Sequence, residues 1–553
     1  MIAPPSAARA HGSARIGLPP MQWNAWGIAE EATTLSPAIL DLVRSALGVS
    51  GDPRPAPTID EVTVAPTRLA DDDRAALADI VGSDCVSVDP QDRLRRAGGK
   101  STPDLLRRTA TEQDAPDAVV APGTEDEIAA ILTWCAHAGV AVVAFGGGTG
   151  VVGGLDPDAG RHRAVISLDL HLFDSLVHLD TTSGIAVLGA GVSGPRAEEL
   201  LTERGFSLGH FPQSFEFATI GGFAATRSSG QDSAGYGRFD DMVVGLTAIT
   251  PRGTLRLGPV AKSAAGPDLR QMVLGSEGTL GIITAVALRV HPTPPHAVNE
   301  AWHFASFAEG AAAVRAVVQR GTGPTVLRLS DEVETGVNLA SPGAIGVSDD
   351  AVAGGVLAIT RFEGDESLCA ARRDLTAETL LAAGGTSLGA APADAWEHGR
   401  FRAPYLRDAL LAIGVGCETL ETATTWAGVP ALRDAVVAAL TTALSRPADG
   451  LPDGSPALVM CHISHTYPTG ASLYFTVVYR MGDDPLAQWA AAKADACAAI
   501  VAEGATITHH HAVGADHRPY LSAEIGEVGV EMLRAVKDAL DPAGVLNPGT
   551  LIP

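Results

Sequence analysis

The feature that most limits how this chain can fold is an apolar run that leads directly into a cluster of glycines. Residues 140–145 read VAVVAF, a pattern typical of a buried strand, and residues 146–154 read GGGTGVVGG. Three glycines after a strand let successive backbone N–H groups approach a ligand closely, as a pyrophosphate requires. The segment has neither the Gly-Lys-Ser/Thr end of a Walker loop nor the GxGxxG that opens a Rossmann helix. Taken alone, such a turn is more often structural than functional.

Two further segments of small and hydroxyl-bearing residues follow along the chain. Residues 212–230 read PQSFEFATIGGFAATRSSG, and residues 274–284 read LGSEGTLGIIT. Their glycines allow close backbone approach, and their serines and threonines supply hydroxyl donors. Each segment is weak evidence, but three in this order are a strong signal. The candidate cofactor-binding residues are Gly146, Gly147, Gly148, Thr149, Gly150, Val151, Pro212, Ser214, Thr219, Gly221, Gly222, Thr226, Ser228, Ser229, Glu277, Gly278, Thr279 and Gly281.

Length and charge restrict the class of protein. With 553 residues the chain is too long for one compact core, so two or three domains are expected. Its 46% hydrophobic and 19% charged residues indicate a globular protein. A net charge of −25 argues against a nucleic-acid partner and against electrostatic adhesion to anionic lipid. A bound phosphate must therefore be held by local N–H groups and arginines.

The six cysteines are scattered, and no two of them have the CxxC spacing of a zinc or redox site. We therefore expect reduced thiols in a cytoplasmic protein. No uninterrupted apolar run reaches the ~18 residues of a membrane-spanning helix. The beginning of the chain also lacks the continuous apolar core of a signal peptide, so residues 1–20 are predicted to be a disordered tail.

Helix and strand patterns surround the glycine segments. Residues 124–139 read TEDEIAAILTWCAHAG, which predicts a helix capped by Thr124 and ended by Gly139. Strands are predicted at 164–170, 184–191, 242–250 and 280–292, and a helix at 193–205. After PTPP (292–295) the pattern changes to longer helices with intervening strands. These include strands at 472–480 and 505–511 and a final helix at 522–540, with Ile525, Val528 and Met532 on one side.

Taken together, four segments resemble the FAD-binding domain of the vanillyl-alcohol oxidase superfamily, also called PCMH-type. They are FGGGTG (145–150), PQSFEFATIGG (212–222), TPRG (250–253) and LGSEGTLGIIT (274–284). The resemblance implies an α+β fold in which two α/β subdomains hold FAD. It also implies a cap domain for the substrate, with an antiparallel sheet flanked by helices.

A second set of segments narrows the resemblance. MQWNAWG (21–27), LRLSDE (327–332), YLRDALL (405–411), SLYFTVVYR (472–480), HHHAVG (509–514) and DPAGVLNPGTL (541–551) look like the alkyldihydroxyacetonephosphate synthase family. The likeness runs from about residue 21 to the end of the chain. It implies an enzyme that replaces the acyl chain of acyl-dihydroxyacetone phosphate with a fatty alcohol, through an adduct at flavin N5. The product is an ether lipid.

The resemblance also implies how the chain is divided. We expect a tail at 1–20, a helical segment and linker at 21–99, the FAD-binding domain at 100–292, the cap domain at 293–500, and a C-terminal segment at 501–553 that returns to the active site. We find no match to the histidine or cysteine that links the flavin covalently in some members of the superfamily. FAD is therefore predicted to bind noncovalently.

Three site residues follow from the matched positions. Tyr474 matches the family's acid/base tyrosine, Arg407 its substrate-binding arginine, and Arg328 another arginine linked to activity. A tyrosine has a pKa near ~10, so it acts as a base near neutral pH only where cations favour the phenolate. Arg407 and the histidines at 509–511 are the candidate cations. Without the family, a core tyrosine, a surface arginine and an ion pair from Arg328 to Asp331 are the simpler interpretations.

The three consecutive histidines His509, His510 and His511 admit two interpretations. In an extended strand His509 and His511 share one face, and a His-x-His pair can bind a metal if further ligands are present. Metal-dependent D-2-hydroxyacid dehydrogenases of the superfamily carry a GHxGDGNLH-like segment and a later Glu-His pair. Here His462 stands for the first histidine, the GDGNLH half is absent, and His510 replaces the glutamate. We therefore predict that these residues bind no metal. Residues 509–511 are predicted to handle protons and to bind an anion, and His462 is predicted to bind the substrate.

Two other functions remain open. The chain is alternatively an FAD-linked oxidase or dehydrogenase of a D-2-hydroxy acid such as D-lactate or D-2-hydroxyglutarate, with Arg407 and Arg328 binding the carboxylate. A third interpretation is a flavin-binding protein without catalytic activity. The presence of Tyr474 and the histidines at the family's site positions argues against it. The expected partner is a small-molecule lipid substrate. A peripheral contact with a membrane and a homodimer are both compatible with the sequence.

Overall fold

The computed structural model of the chain describes residues 16–17, 19–54, 56–339, 354–447, 450–451 and 454–553. Most of the predicted tail at 1–20 lies outside these residues. The described residues form an α+β structure, as predicted, with three larger sheets. None of the described helices is both long and apolar enough to cross a membrane.

The part of the chain up to residue 292 contains helices, the strands of two larger sheets, and two two-stranded sheets, β1-β3 and β13-β9. Its helices are α1 Pro37–Leu47, α2 Asp71–Val81, α3 Pro90–Leu94, α4 Thr102–Arg107, α5 Glu125–Ala138, α6 Gly194–Thr202, α7 Ile220–Thr226, α8 Ser233–Tyr236, α9 Phe239–Met242 and α10 Arg270–Val273. Its strands are β1 Thr63–Val64, β2 Val86–Ser87, β3 Glu112–Gln113, β4 Ala118–Val120, β5 Val140–Phe145, β6 Ala164–Asp169, β7 Leu176–Asp180, β8 Ile185–Gly189, β9 Phe206–Ser207, β10 Val243–Thr250, β11 Gly253–Leu257, β12 Ile282–Arg289 and β13 His291–Pro292. Three-residue 3-10 helices lie at Ala29–Glu31, Ile59–Glu61 and Ser83–Cys85.

The first sheet has the strand order β2-β4-β6-β5, with β4, β6 and β5 parallel and β2 antiparallel at the edge. The apolar side of α5, with Ile128 and Leu132, is buried in one cluster with residues of β5 and β6. Thr124 accepts the N–H of Glu127, and Gly139 ends the helix at a φ of 64°, as the sequence predicted. Strand β5 ends at Phe145, so the first glycine segment, residues 146–154, starts at the carboxyl end of this strand.

The second sheet has the order β11-β10-β12-β8-β7 and is antiparallel throughout. Leu246, Val286 and Leu288 of this sheet share an apolar cluster with Phe223 of α7. Because α7 contains the second glycine pair, this packing fixes where that pair lies. The predicted strands at 184–191, 242–250 and 280–292 correspond to β8, β10 and β12–β13.

The second half of the chain forms a larger antiparallel sheet with helices. Its helices are α11 Phe307–Arg320, α12 Glu332–Leu339, α13 Glu366–Ala382, α14 Ala391–Gly399, α15 Ala403–Leu411, α16 Val429–Leu444, α17 Pro485–Ala502 and α18 Leu521–Leu540. Its strands are β14 His296–Phe304, β15 Val326–Ser330, β16 Val356–Gly364, β17 Thr386–Gly389, β18 Val415–Thr425, β19 Ala457–Tyr467 and β20 Gly470–Arg480. A 3-10 helix at Arg518–Tyr520 precedes α18.

This sheet has the order β17-β14-β16-β15-β19-β20-β18. Alternate residues of β20, including Leu473 and Phe475, belong to an apolar cluster with side chains of α11, α16 and α17. The residues between them point away from those helices, because successive side chains of a strand face opposite sides. Tyr474 therefore lies on the face without these helices. In the register of the sheet Tyr474 pairs with His462 on β19 and with Glu421 on β18.

The C-terminal segment departs from the sequence prediction in two ways. Residues 505–511 are not a strand; only Thr506 makes an isolated bridge, to Ala423. The final helix α18 contains a non-helical residue, Gly526, with a φ of 72°. The apolar side predicted for α18 is exposed, with Val528 70% and Met532 59% accessible. Beyond α18, Leu546 pairs with Val142 of β5, so the end of the chain lies beside the first sheet.

Candidate active site

One cavity of about 410 Å³ lies between the glycine segments and the face of the larger sheet that α11, α16 and α17 do not cover. It is lined by residues of all three glycine segments, of β15, β18, β19 and β20, of α15, and of residues 509–511, which we call the histidine segment. The sequence-predicted residues that line it are Gly146, Gly147, Gly148, Thr149, Gly150, Val151, Pro212, Ser214, Thr219, Gly221, Gly222, Thr226, Ser228, Ser229, Glu277, Gly278, Gly281, Arg328, Arg407, His462, Tyr474, His510 and His511. Thr279 and His509 are not among the lining residues.

The first two glycine segments pack directly on each other. A Cβ on Gly147 would lie 2.0 Å from the carbonyl oxygen of Phe217, and one on Gly146 would lie 2.5 Å from Thr219 Oγ1. Glycine is required at position 147, where the near atom belongs to the backbone, whereas a side chain at position 146 would force Thr219 to turn its hydroxyl away. The lack of side chains leaves backbone as the surface of this part of the cavity.

The cavity wall has polar atoms that suit a polar ligand. Among the described residues, Gln213 Nε2, Ser229 Oγ and Gln231 Oε1 are buried without a hydrogen-bond partner. A buried polar group without a partner costs ~1–3 kcal/mol, so these atoms indicate a ligand with both donors and acceptors. A dinucleotide such as FAD has such groups. The Thr279 hydroxyl, by contrast, donates to Ser276 O at 2.7 Å and supports the loop from within.

Glu277 connects the third glycine segment to the C-terminal part of the chain. Its carboxylate accepts the N–H groups of Val513 and Gly514, at distances of 2.9–3.1 Å. Burial raises the pKa of Glu277 to about 7, against the effect of these two donors. Asn547 Nδ2 donates to Glu277 O at 2.7 Å and to Gly154 O at 3.0 Å. The loop at 277–278 is therefore tied to both parts of the C-terminal segment.

Tyr474 is a neutral phenol surrounded by imidazoles. Its ring centroid lies 4.9 Å from that of His462, 5.6 Å from His511 and 6.0 Å from His510. Burial raises the pKa of Tyr474 far above its usual value, and nearby carboxylates such as Glu418 raise it further. Of the predicted cations, His509, His510 and His511 are not charged to lower this pKa, because burial lowers the pKa of each imidazole. The phenolate that the sequence suggested is therefore not the resting form.

Arg328 belongs to a buried cluster rather than to the predicted pair with Asp331. Its Nη1 donates to His462 Nε2 at 3.1 Å, and its guanidinium forms an ion pair with Glu334. His462 Nδ1 donates to the same carboxylate at 3.0 Å. Burial would raise the pKa of Glu334, but His462 and Arg328 outweigh it and lower that pKa to about 2. Asp331 instead pairs with Arg433.

Arg407 is not a surface charge, since its side chain is only 11% exposed. It projects from α15, where Nε donates to Asp408 Oδ1 at 3.0 Å and Nη1 donates to Lys100 O. Asp408 also accepts the N–H of Trp26 at 2.5 Å. The N-terminal MQWNAWG segment, α15 and Lys100 thus meet around this arginine.

The histidine segment is held by one buried carboxylate that the sequence did not reveal. Glu421 of β18 accepts the backbone N–H groups of His509, His510 and His511 and the hydroxyl of Thr508. These bonds bend the segment, so its side chains do not alternate as they would in the predicted strand. Burial would raise the pKa of Glu421, but the histidines and Thr508 outweigh it and keep that pKa well below its usual value.

A second missed residue, His465, completes a group of three imidazoles. Its ring centroid lies 5.1 Å from that of His509 and 5.2 Å from that of His510. His462 and His465 are three residues apart and would face opposite sides of a regular strand. The pairing of β19 with β20 is irregular between Ile463 and Thr466, which brings both histidines to the cavity. Sequence periodicity could not reveal this bulge.

Buried neutral histidines make stability depend on pH. Burial lowers the pKa of His511 to about 3 and that of His517 to about 4, against 6.5 for a free side chain. The unfolded chain therefore binds protons first, and stability that is complete above pH 6.5 is lost as the pH falls towards these values. At pH 5 each such histidine has lowered the free energy of unfolding by about 2 kcal/mol. The buried histidines with lowered pKa are His210, His462, His465, His509, His510, His511 and His517.

We predict that the thermal unfolding midpoint falls when the pH is lowered from 7 to 5. Buried carboxyls act in the opposite direction, and burial raises the pKa of Asp156 and Asp232 to about 6 and that of Glu277 to about 7. Burial also raises the pKa of five other carboxyls, those of Glu198, Glu216, Glu300, Asp331 and Glu418. A free carboxyl titrates below this pH range, whereas a free histidine has its pKa of 6.5 inside it, so we expect the histidines to dominate and the net change to be a loss. Differential scanning calorimetry at several pH values measures it. The exposed His137 serves for the control variant His137→Gln, which should keep the wild-type slope. A midpoint that stays constant or rises would contradict the prediction.

Comparisons with known proteins agree with this arrangement. The family model described as "FAD binding domain" matches residues 116–258, and "FAD linked oxidases, C-terminal domain" matches residues 293–551. These matches assign the glycine segments at 146–154 and 212–230 to an FAD-binding domain. They support the predicted cofactor, FAD.

Similar proteins cover almost the whole chain. Alkyldihydroxyacetonephosphate synthase of Dictyostelium discoideum is 30% identical over 96% of this chain and 93% of its own length. The protein of the same name from Trypanosoma brucei brucei is 31% identical over 86% of this chain and 80% of its own length. A solved structure of alkyldihydroxyacetonephosphate synthase superposes with a TM-score of 0.82 at 27% identity, over 96% of this chain and 98% of that one. The chain belongs to the alkyldihydroxyacetonephosphate synthase family.

Proposed function

We propose that this chain is an FAD-dependent alkylglycerone-phosphate synthase, which exchanges the acyl chain of acyl-dihydroxyacetone phosphate for a fatty alcohol. The observation that carries this proposal is the single cavity in which the FAD-binding glycine segments face Tyr474, His462, His510 and His511. The bond from the substrate carbon to the acyloxy oxygen breaks and the fatty acid leaves. The alcohol oxygen forms the new bond and loses its proton, so the exchange needs no net oxidant.

The residues that would hold FAD are those of the three glycine segments. Backbone at 146–150 and 221–222 presents N–H groups to a pyrophosphate, and the unpaired Gln213, Ser229 and Gln231 can meet the remaining polar groups. When bound, FAD supplies a ring that can accept an electron pair from the substrate and return it. We expect noncovalent binding, since burial raises the pKa of the nearby Cys417 thiol to about 12 and leaves it a poor nucleophile.

Arg407 and Arg328 are the groups that would bind the phosphate or the leaving carboxylate. A guanidinium binds such anions with two parallel hydrogen bonds. Arg328 is already compensated by Glu334, and Arg407 by Asp408, so each presents a fixed donor to the cavity without an isolated charge. Their fixed geometry supports a binding role, since less side-chain entropy is lost when the substrate arrives.

Proton movement would involve Tyr474 and the neutral imidazoles beside it. The buried phenol of Tyr474 holds its proton, and the neutral imidazoles beside it have lone pairs that can accept one during the reaction. We propose that Tyr474 exchanges the proton of the reacting carbon together with His510 and His511. His509 would act through His510, because the Nδ1 atoms of the two rings lie 2.9 Å apart, within hydrogen-bond distance. This assignment keeps the acid/base role of Tyr474 but needs no resting phenolate.

Replacing Gly147 with alanine should weaken FAD binding. The new Cβ would lie 2.0 Å from Phe217 O, so the two glycine segments would have to separate. We expect FAD affinity to fall about 10-fold or more, measured by titration of the apoprotein with FAD. The control is Gly336→Ala on α12, where a Cβ meets no described atom within 4 Å. Equal FAD affinity in Gly147→Ala and the wild-type protein would contradict the assigned site.

Tyr474→Phe should lower turnover of the exchange by about 100-fold or more, because it removes the proton that the mechanism moves. The flavin spectrum should stay unchanged. Tyr479→Phe is a matched control on the same strand, since Tyr479 faces the apolar core and stacks on Trp489. Its hydroxyl is buried without a partner among the described residues. Turnover of Tyr474→Phe close to that of the control would show that the acid/base assignment is wrong.

The alternative, a dehydrogenase of a D-2-hydroxy acid, predicts a different result. Under anaerobic conditions D-lactate or D-2-hydroxyglutarate should leave the yellow flavin of this protein oxidised. Acyl-dihydroxyacetone phosphate and hexadecanol should instead release fatty acid in step with ether formation, measured by mass spectrometry. Bleaching by either hydroxy acid, with no release of fatty acid, would favour the dehydrogenase.

A further inference from the structure

Three imidazoles converge where the bulge of β19 meets the histidine segment. One ring nitrogen each of His465, His509 and His510 lies within 4.8 Å of the other two. His509 Nδ1 and His510 Nδ1 are already only 2.9 Å apart. Tetrahedral ligands at ~2.1 Å from zinc stand roughly 3.4 Å apart. A rearrangement of about an ångström would therefore bring the three nitrogens to coordination distance.

His465 has no role in the proposed exchange, yet it is only 4% exposed. Its Nδ1 is buried and has no hydrogen-bond partner among the described residues. Such a nitrogen costs free energy unless something binds it. The backbone N–H of His465 donates to Ser472 Oγ at 3.1 Å, which fixes the residue at the bulge. The ring that carries this unpaired nitrogen stacks on His509 and meets His510 edge-on, so His465 offers an unused ligand beside two other imidazoles.

The surroundings of the three imidazoles match the outer shell of a metal site. Tyr467 Oη lies 2.6 Å from His509 Nε2 and can accept a proton from it once Nδ1 binds a cation. The carboxylate of Glu421 lies 3.7 Å from His510 Nδ1 and supplies a compensating negative charge. Arg238 is the opposing cation near this group, and it is paired with Asp240 at 3.0 Å. The local charge therefore permits a divalent ion.

We propose that His465, His509 and His510 form a binding site for one divalent transition-metal ion, and that the ion inhibits the exchange. Three imidazoles favour zinc, nickel or copper over magnesium or calcium, which prefer oxygen ligands. His465 and His510 line the cavity, so the fourth coordination position would face it. The inhibition rests on the proposed function, because the ion would occupy nitrogen lone pairs of His509 and His510 that otherwise take part in proton movement.

Metal binding can be measured without any assay of activity. FAD-loaded protein is stripped with a chelator, dialysed against zinc, and analysed by mass spectrometry for metal per chain. We expect about one zinc ion per chain. In His465→Gln the affinity should fall by at least about 10- to 100-fold, since one of three ligands is lost. His398→Gln on α14, which removes an exposed histidine, should bind zinc as the wild-type protein does. Unchanged FAD content shows that the variants are folded.

The possible results distinguish the metal site from the proposed exchange reaction. Zinc bound equally by His465→Gln and wild-type protein, or no uptake by wild-type protein, overturns the site and leaves the exchange reaction untouched. If the proposal holds, zinc inhibits exchange in wild-type protein, a chelator restores turnover, and His465→Gln needs about 10-fold more zinc for the same inhibition. Stoichiometric zinc with unchanged turnover would support the site and overturn the proton role of His509 and His510.

Discussion

Two buried carboxylates hold the segment that carries the histidines, and the geometry of the cavity depends on them. Glu421 of the larger sheet accepts the N–H groups of residues 509–511, and Glu277 of the third glycine segment accepts those of residues 513 and 514. One carboxylate lies in each half of the chain. Six residues of the C-terminal segment therefore position the imidazoles of His510 and His511 against both the FAD-binding loops and Tyr474. Loss of either carboxylate would leave several backbone donors buried and unpaired.

The cavity is built around neutral or compensated groups. Tyr474 stays protonated, the histidines stay neutral, and Arg328 and Arg407 each have a carboxylate beside them. In a chain with a net charge of −25, this arrangement avoids isolated buried charges, whose desolvation would be expensive. It also leaves hydrogen-bond donors and proton acceptors at fixed positions, which suits an exchange in which protons move but no net oxidation occurs.

Local sequence patterns gave reliable predictions where one short segment decides the outcome. The capped helix α5, the strand β5 and the glycines after it depend on residues within a few positions of one another. The orientation of Tyr474 followed from the alternation of side chains along one strand. Of the residues predicted to bind FAD, Thr279 alone does not line the cavity, because its hydroxyl is used within the loop. The function of each site residue and the domain boundaries stay predictions.

The sequence by itself determined the family, the α+β class, the glycine segments and about half of the residues that line the cavity, because these depend on short motifs with local geometry. The tertiary structure decided the shape of residues 505–511, the protonation of Tyr474 and the approach of His465. Each of these depends on contacts between distant residues. Glu421 lies 88 positions before His509, and the bulge that turns His465 arises from the pairing of β19 with β20. Such long-range contacts and the resulting burial leave no periodic signal in the sequence.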